Sequence, residues 1–216
     1  AISLSNQPIR ISMPEQPPSC SPRSKKANSL SPIIENGPIS PQKAIQIYSS
    51  LLMSYEIDEI TGFEEVFFLG YPKCKNPNLS DFFNKINLKD HICYRYEILK
   101  ILGSGNYGNV VEAYDYKSKK KVAIKILKNK FYSQREATTL AILNQNNCSN
   151  TVKGLNYFIF RSYACISFEL VGDNLHQIQA KNKFQPLKES LIKEYALQIF
   201  QSLSEYSSLG LTHCDI

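Results

Sequence analysis

The chain has 216 residues, 43% of them hydrophobic, with a formal net charge of +6. That suits one folded domain or one and a half, and no apolar run reaches the roughly 20 residues that span a membrane. The positive charge clusters at Lys117, Lys119, Lys120 and Lys121 and at Lys25 and Lys26, which reads as a solvated face and excludes an obvious nucleic-acid surface.

Residues 1–39 are expected to be a disordered tail. Eight of the eleven prolines fall within residues 1–41, interleaved with serines, and no aromatic residue occurs there. Such a stretch buries too little apolar surface to offset its ordering entropy. Ser21-Pro22, Ser31-Pro32 and Ser40-Pro41 read equally as proline-directed phosphorylation sites or as ordinary tail dipeptides.

From Gln42 onward Ala44, Ile45, Tyr48, Leu51 and Leu52 recur at helical spacing. Ser40-Pro41 supplies an N-cap and a proline at the first helical position. Glu65 to Leu69 reads as a short strand closed by Gly70 and Pro72, and residues 73–90 as a loop. Three strands follow, at Tyr96 to Leu102, Val110 to Tyr116 and Lys121 to Leu127. Ser133 to Leu143 is predicted helical, with Ser133 as cap and Glu136 completing a capping box. Leu155 to Phe160 and Tyr163 to Leu170 form a hairpin around Arg161-Ser162. Asn174 to Ala180 is a short helix. Leu187 to Leu209 is a long amphipathic helix ended by Gly210. The string predicts an α+β fold: a five-stranded antiparallel sheet with one helix on it, then the start of a helical lobe.

The six cysteines show no C-x-x-C spacing and the three histidines complete no zinc pattern, so no metal site is assigned. The chemistry lies elsewhere. Gly103-Ser104-Gly105-Asn106-Tyr107-Gly108, preceded by Leu102, is a glycine-rich loop whose backbone can approach phosphate oxygens without side-chain clash. A dinucleotide-binding fingerprint would open a helix at this point. Here Asn109 to Tyr114 continues as a strand, and Lys125 closes the next one, which is the protein-kinase arrangement. Val110 and Ala123 would wall the adenine ring, and Lys125 would pair the α- and β-phosphates. Phe168 would close the back of the pocket, with the backbones of Glu169 and Val171 on the adenine edge and Asn174 near the ribose. Asp215, in His213-Cys214-Asp215, would accept or orient the hydroxyl proton of a protein substrate. The helix glutamate that should pair with the lysine is normally followed at +3 and +4 by two apolar residues. Counting back from Ile142-Leu143 reaches Thr139, not a glutamate. Glu136, one turn earlier, has two open roles: the ion-pair partner of Lys125, or a capping residue only.

These residues resemble the dual-specificity tyrosine-phosphorylation-regulated kinase (DYRK) family. The likeness rests on Tyr94-Arg95-Tyr96-Glu97-Ile98-Leu99, Val111-Glu112-Ala113-Tyr114-Asp115, the Phe168-Glu169-Leu170 hinge, Asn174-Leu175, Lys181-Asn182-Lys183-Phe184-Gln185 and H-C-D in place of H-R-D. The block from Ser40 to Gly70 is similar to the accessory segment of the class 2 members. The resemblance implies an accessory segment over residues 40–91, a kinase small lobe and hinge over 92–171, and the start of the large lobe over 172–216. It implies a monomeric cytoplasmic or nuclear Ser/Thr kinase that autophosphorylates on tyrosine, uses ATP and Mg2+, acts on protein substrates, and binds neither membrane nor nucleic acid. The sequence starts at Ala1 and stops inside the H-C-D motif, so it is expected to be a fragment, inactive alone, with its magnesium ligands beyond residue 216. The alternative is a pseudokinase or scaffold, motivated by Thr139.

Overall fold

A computed structural model of the chain describes residues 30–78, 82–105, 108–128 and 130–214. Most of the Ser/Pro tail, the loop-tip residues Asn106 and Tyr107, and Asp215 lie outside these residues.

Six strands form one antiparallel sheet. They are β1 (His91–Ile92), β2 (Tyr96–Gly105), β3 (Gly108–Asp115), β4 (Lys120–Leu127), β5 (Gly154–Phe160) and β6 (Tyr163–Glu169), in the order β1-β2-β3-β4-β6-β5. The α+β class expected from the sequence holds, but the sheet has one strand more than the five expected, because the two-residue β1 is too short to show a period. Alternation sets the faces. Val111, Ala113, Val122, Ile124 and Ile126 point to one side with Ile98, Phe160 and Cys165 and form the main core. The sheet curls around this core, so Tyr96 of β2 stacks on Phe158 of the far edge strand, with centroids 5.6 Å apart. Phe82 and Phe83, from the stretch expected to be a plain loop, plug the same core. Truncating a residue such as Ile124 to alanine would cost about 2–5 kcal/mol.

The opposite face carries Leu127, Ala164 and Ile166 and receives Ala137 and Leu140 of α3 (Lys130–Gln145). This helix begins before Ser133, which corrects the expected capping box. Ser133 is buried within the helix, and Glu136 is turned to another use.

Upstream, α1 (Pro41–Tyr48) starts as its sequence signals: the Ser40 side chain accepts from the Lys43 N–H at 3.3 Å, with Pro41 at the first turn. It stops short of the expected end. A 3-10 turn and then α2 (Ser54–Ile60) follow, the latter opened by a bond from the Met53 N–H to the Glu56 carboxylate at 2.9 Å. Residues 30–39, expected to belong to the tail, instead pair with the stretch expected to be a strand. Ile33 bridges Phe68, Ile39 bridges Val66, and Leu69 N–H donates to Pro32 O at 2.9 Å. The prolines interrupt this pairing, so it stays at isolated bridges and never becomes a ladder. Ile34, Ala44, Ile60, Val66, Leu69 and Tyr94 form a second, smaller core beneath it.

After the sheet come α4 (Leu175–Lys181) and α5 (Glu189–Ser208). Gly210, at φ +69°, ends α5 in a Schellman turn: Leu211 N–H reaches Tyr206 O at 2.9 Å and Gly210 N–H reaches Ser207 O at 3.1 Å.

Candidate active site

The glycine loop is the turn end of the β2–β3 hairpin, with Gly103 opposite Val110, Ser104 opposite Asn109 and Gly105 opposite Gly108. The glycines do different work. A Cβ on Gly108 would stand 2.2 Å from Ile126 O, so only glycine lets β3 pass β4 there. A Cβ on Gly103 or Gly105 would meet nothing within 4 Å; these two face open space beside exposed Leu102 and Ser104.

Register then assembles one cleft face. Val110 lies opposite Lys125, Ala123 lies opposite Phe168, and Lys125 also lies opposite Ile166. Val110, Ala123 and Lys125 are half-buried on this face, and Phe168, like Leu140 of α3, packs against the cluster of Leu127, Ala164 and Ile166. The hinge continues from β6. Glu169 donates its N–H to Lys153 O at 3.0 Å and accepts the Lys153 N–H on its carboxylate at 2.9 Å, while Val171 is exposed. Asn174 caps α4, accepting the Gln177 N–H at 2.8 Å. His213 lies parallel to Tyr206, centroids 6.2 Å apart.

Glu136 is where the structure decides between the two roles left open. Lys125 Nζ lies 2.7 Å and 2.9 Å from its two carboxylate oxygens, with the side chains 27% and 32% exposed. The count from Ile142-Leu143 pointed to Thr139 because it took those two residues as the apolar pair at +3 and +4. The glutamate that meets Lys125 stands one turn earlier, with Leu140 at +4 from it packed against Leu127, Ala164 and Ile166.

A 660 Å³ cavity lies not over Lys125 but along the loop 147–153, lined also by Glu169 and Val171. That loop is tied to α5: Ser149 N–H and Oγ both donate to Glu205, at 2.8 Å and 2.6 Å.

Sequence reading missed a second polar centre entirely. Glu56 on α2 is fully buried against Lys75, against His91 Nε2 at 2.8 Å and against Arg161 at 3.4 Å. Arg161, at the β5–β6 turn, also grips Glu59 at 2.9 Å and lies over the Phe160 ring at 4.7 Å. Burial alone would raise the Glu56 pKa, but the hydrogen bond and charge of His91 and the charge of Lys75 hold it down to about 2. Glu56, Glu59 and His91 offer ligand atoms within 4.8 Å of one another. Lys75 and Arg161 already answer those carboxylates, so the cluster is an ion-pair lock between α2 and the sheet. No local pattern could have revealed it, because Arg161 and Glu56 are 105 positions apart.

A glycine hairpin, a strand lysine and a helix glutamate on one cleft define a protein-kinase small lobe, and the protein kinase domain family matches residues 96–216. The chain is 32% identical over 217 residues to dual specificity tyrosine-phosphorylation-regulated kinase 4 of Homo sapiens, covering 92% of this chain and 42% of that protein. It is 32% identical over 210 residues to human dual specificity tyrosine-phosphorylation-regulated kinase 3, covering 88% and 36%. With the kinase mbk-2 of Caenorhabditis elegans it shares 31% over 194 residues, covering 82% and 24%. The chain belongs to the protein kinase family, among the dual-specificity tyrosine-phosphorylation-regulated kinases. It spans about two fifths or less of the length of these relatives.

Proposed function

We propose that this chain is the nucleotide-binding part of an active protein kinase, which transfers the ATP γ-phosphate to Ser/Thr hydroxyls of protein substrates and to its own tyrosine. The observation that carries the reading is the two-pronged Lys125–Glu136 pair. A lysine on a flexible stem positions phosphate poorly unless something fixes it, and a carboxylate gripping it with both oxygens does so.

The residues fit a nucleotide. The space beside Gly103 and Gly105 is open, and Lys125 offers a partly shielded cation on the same face as Val110 and Ala123. ATP with its magnesium would supply the phosphoryl group and the counter-charge for its transfer. In this reading Gly103, Ser104, Gly105 and Gly108 cradle the phosphates with backbone N–H groups. Lys125 orients the α- and β-phosphates, Phe168 closes the back of the adenine pocket, and Glu169 and Val171 read the adenine edge. Asp215 orients the substrate hydroxyl. The Asn174 side-chain oxygen is already used in capping, so a ribose contact would fall to its amide.

The test is phosphate transfer by the full-length protein, with Lys125→Met as control and phosphotyrosine read by mass spectrometry. Equal transfer by both proteins would sink the reading. The scaffold alternative was motivated by Thr139, and a paired Glu136 removes that motive. The polypeptide of residues 1–216 alone is expected to be inactive and poorly stable, since α5 exposes Ile192, Leu197 and Phe200, the last 68% exposed. Robust turnover by it would overturn this. The reading also carries a monomeric enzyme in the cytoplasm or nucleus, on the strength of its relatives. Light scattering checks the first and imaging of tagged protein the second.

A further inference from the structure

The two edges of the sheet are treated unequally. At β1 the edge is sheltered: the Phe67 and Phe68 N–H groups reach Tyr94 O at 2.9 Å and 3.0 Å, and Tyr71 N–H reaches Lys89 O at 3.0 Å. At the other edge β5 ends the sheet. Its run Gly-Leu-Asn-Tyr-Phe-Ile-Phe holds no charge and no proline. Leu155, Tyr157 and Ile159 are 48%, 43% and 47% exposed, and the first two line a furrow with Ala137, Leu140 and Ala141 of α3. An uncharged apolar edge strand is a pairing surface, and proteins ordinarily cover or blunt one.

The backbone of β5 is as open as its side chains. Arg161 and Ser162 form a two-residue hairpin loop closed by Phe160 opposite Tyr163. Bonded pairs recur at every second residue from there, so Phe158 bonds Cys165, and the N–H and C=O groups of Ile159 and Tyr157 point away from β6. No backbone group among the described residues pairs with them on that side. The edge also has a slot. A cavity of about 300 Å³ borders Asn156, Tyr157, Phe158 and Ile159, residues of both strand faces, and is lined as well by Phe63 and Phe67.

This chain carries a segment suited to the place. Residues 1–29 precede the first described residue, and within them Ile9-Arg10-Ile11-Ser12-Met13 alternates apolar and polar between Pro8 and Pro14. That is a strand signal, with prolines only where a ladder stops. The next stretch of the same tail already pairs in this way: Ile33 bridges Phe68, Ile39 bridges Val66, and Phe67 between those partners lines the slot. Reach is ample. From Met13 to Leu30 the chain can span roughly 55 Å extended, more than twice the roughly 24 Å across six strands at ordinary strand spacing. We propose that residues 9–13 add a strand to the free edge of β5 in the same molecule. Tyr157 and Ile159 supply the backbone groups, and Ile9, Ile11 and Met13 cover Leu155, Tyr157 and Ile159 beside α3.

The test follows amide hydrogen exchange in the full-length protein. The Tyr157 and Ile159 amides should exchange about tenfold slower in wild type than in the double variant Ile9→Asn/Ile11→Asn. Strands β2 to β4 should exchange alike in both, which shows that the variant is folded. Arg10→Ser, on the polar side of the segment, should match wild type. In a second preparation Ile11 is replaced by photo-reactive benzoylphenylalanine, and isotope-labelled and unlabelled copies are mixed before illumination. Cross-links should land on residues 152–160 of the same copy. Equal exchange at Tyr157 and Ile159 in wild type and the double variant would overturn the proposal. So would cross-links that land elsewhere, or that join one copy to another, the mark of a dimer through β5.

Discussion

Glu56 and Glu136 each sit on a helix and each meet cations from the sheet or its surroundings, yet they live in different solvents. Glu56, Lys75, His91 and Arg161 have side chains with no exposure at all. Lys125 and Glu136 keep about a third of theirs. In the first group every charge has left water and depends on its neighbours, so removing one partner strands the others. In the second, water covers part of the loss, and the pair can loosen without unfolding anything. The same chemistry makes a lock in one place and an adjustable grip in the other. A lysine that must also receive phosphates needs the second kind.

The largest test of that contrast is Arg161→Met. It leaves Glu56 and Glu59 without their guanidinium and should lower the unfolding free energy by about 3–5 kcal/mol in urea titration. A loss under about 1 kcal/mol would erase the distinction. Next comes acid. Glu56 has a folded pKa of about 2 against an ordinary 4.5, so its contribution is fully present above pH 4.5 and fades as pH falls towards 2. The shift corresponds to about 3 kcal/mol. The stability lead of wild type over Glu56→Gln should therefore shrink steadily below pH 4.5 in denaturant titrations at stepped pH.

At the cleft the balance reverses. Glu136→Ala should cut phosphate transfer roughly a hundredfold through a misplaced Lys125, while stability moves by less than about 1 kcal/mol. Unchanged turnover would detach the pair from catalysis. Smallest of all is Glu65→Ala, which frees Lys117 from a pair about half in water. It should change stability by under about 0.5 kcal/mol. Between them these variants rank effect by burial at fixed chemistry.

What the sequence made legible follows the same line. Strands β2 to β6 and the start of α1 are local statements, written in alternation and in a Ser-Pro cap, and they could be read. So could the cleft residues, because hairpin register places Val110, Ala123 and Lys125 together as a matter of counting. The helix partner of Lys125 could only be narrowed, since the local pattern does not say which turn of α3 lies over the lysine. Arg161-Ser162 looked like an ordinary exposed turn. Both residues do take positive φ, 47° and 67°, as a tight hairpin requires, but the arginine turns inward. Phe82 and Phe83 were hidden among turn formers, and the pairing of residues 30–39 among prolines. Each of these depends on a partner far along the chain.

That distance sets a clock. Arg161 follows Glu56 by 105 residues. At roughly 5–20 residues per second, a ribosome releases the glutamate some 5–20 seconds before the arginine that neutralises it. Through that interval α2 can pack against Val66, Leu69 and Tyr94, but it has no guanidinium to close upon until the β5–β6 hairpin emerges. The ion-pair lock on α2 is therefore closed late, and a pause in synthesis between the two would leave Glu56 without its arginine for longer.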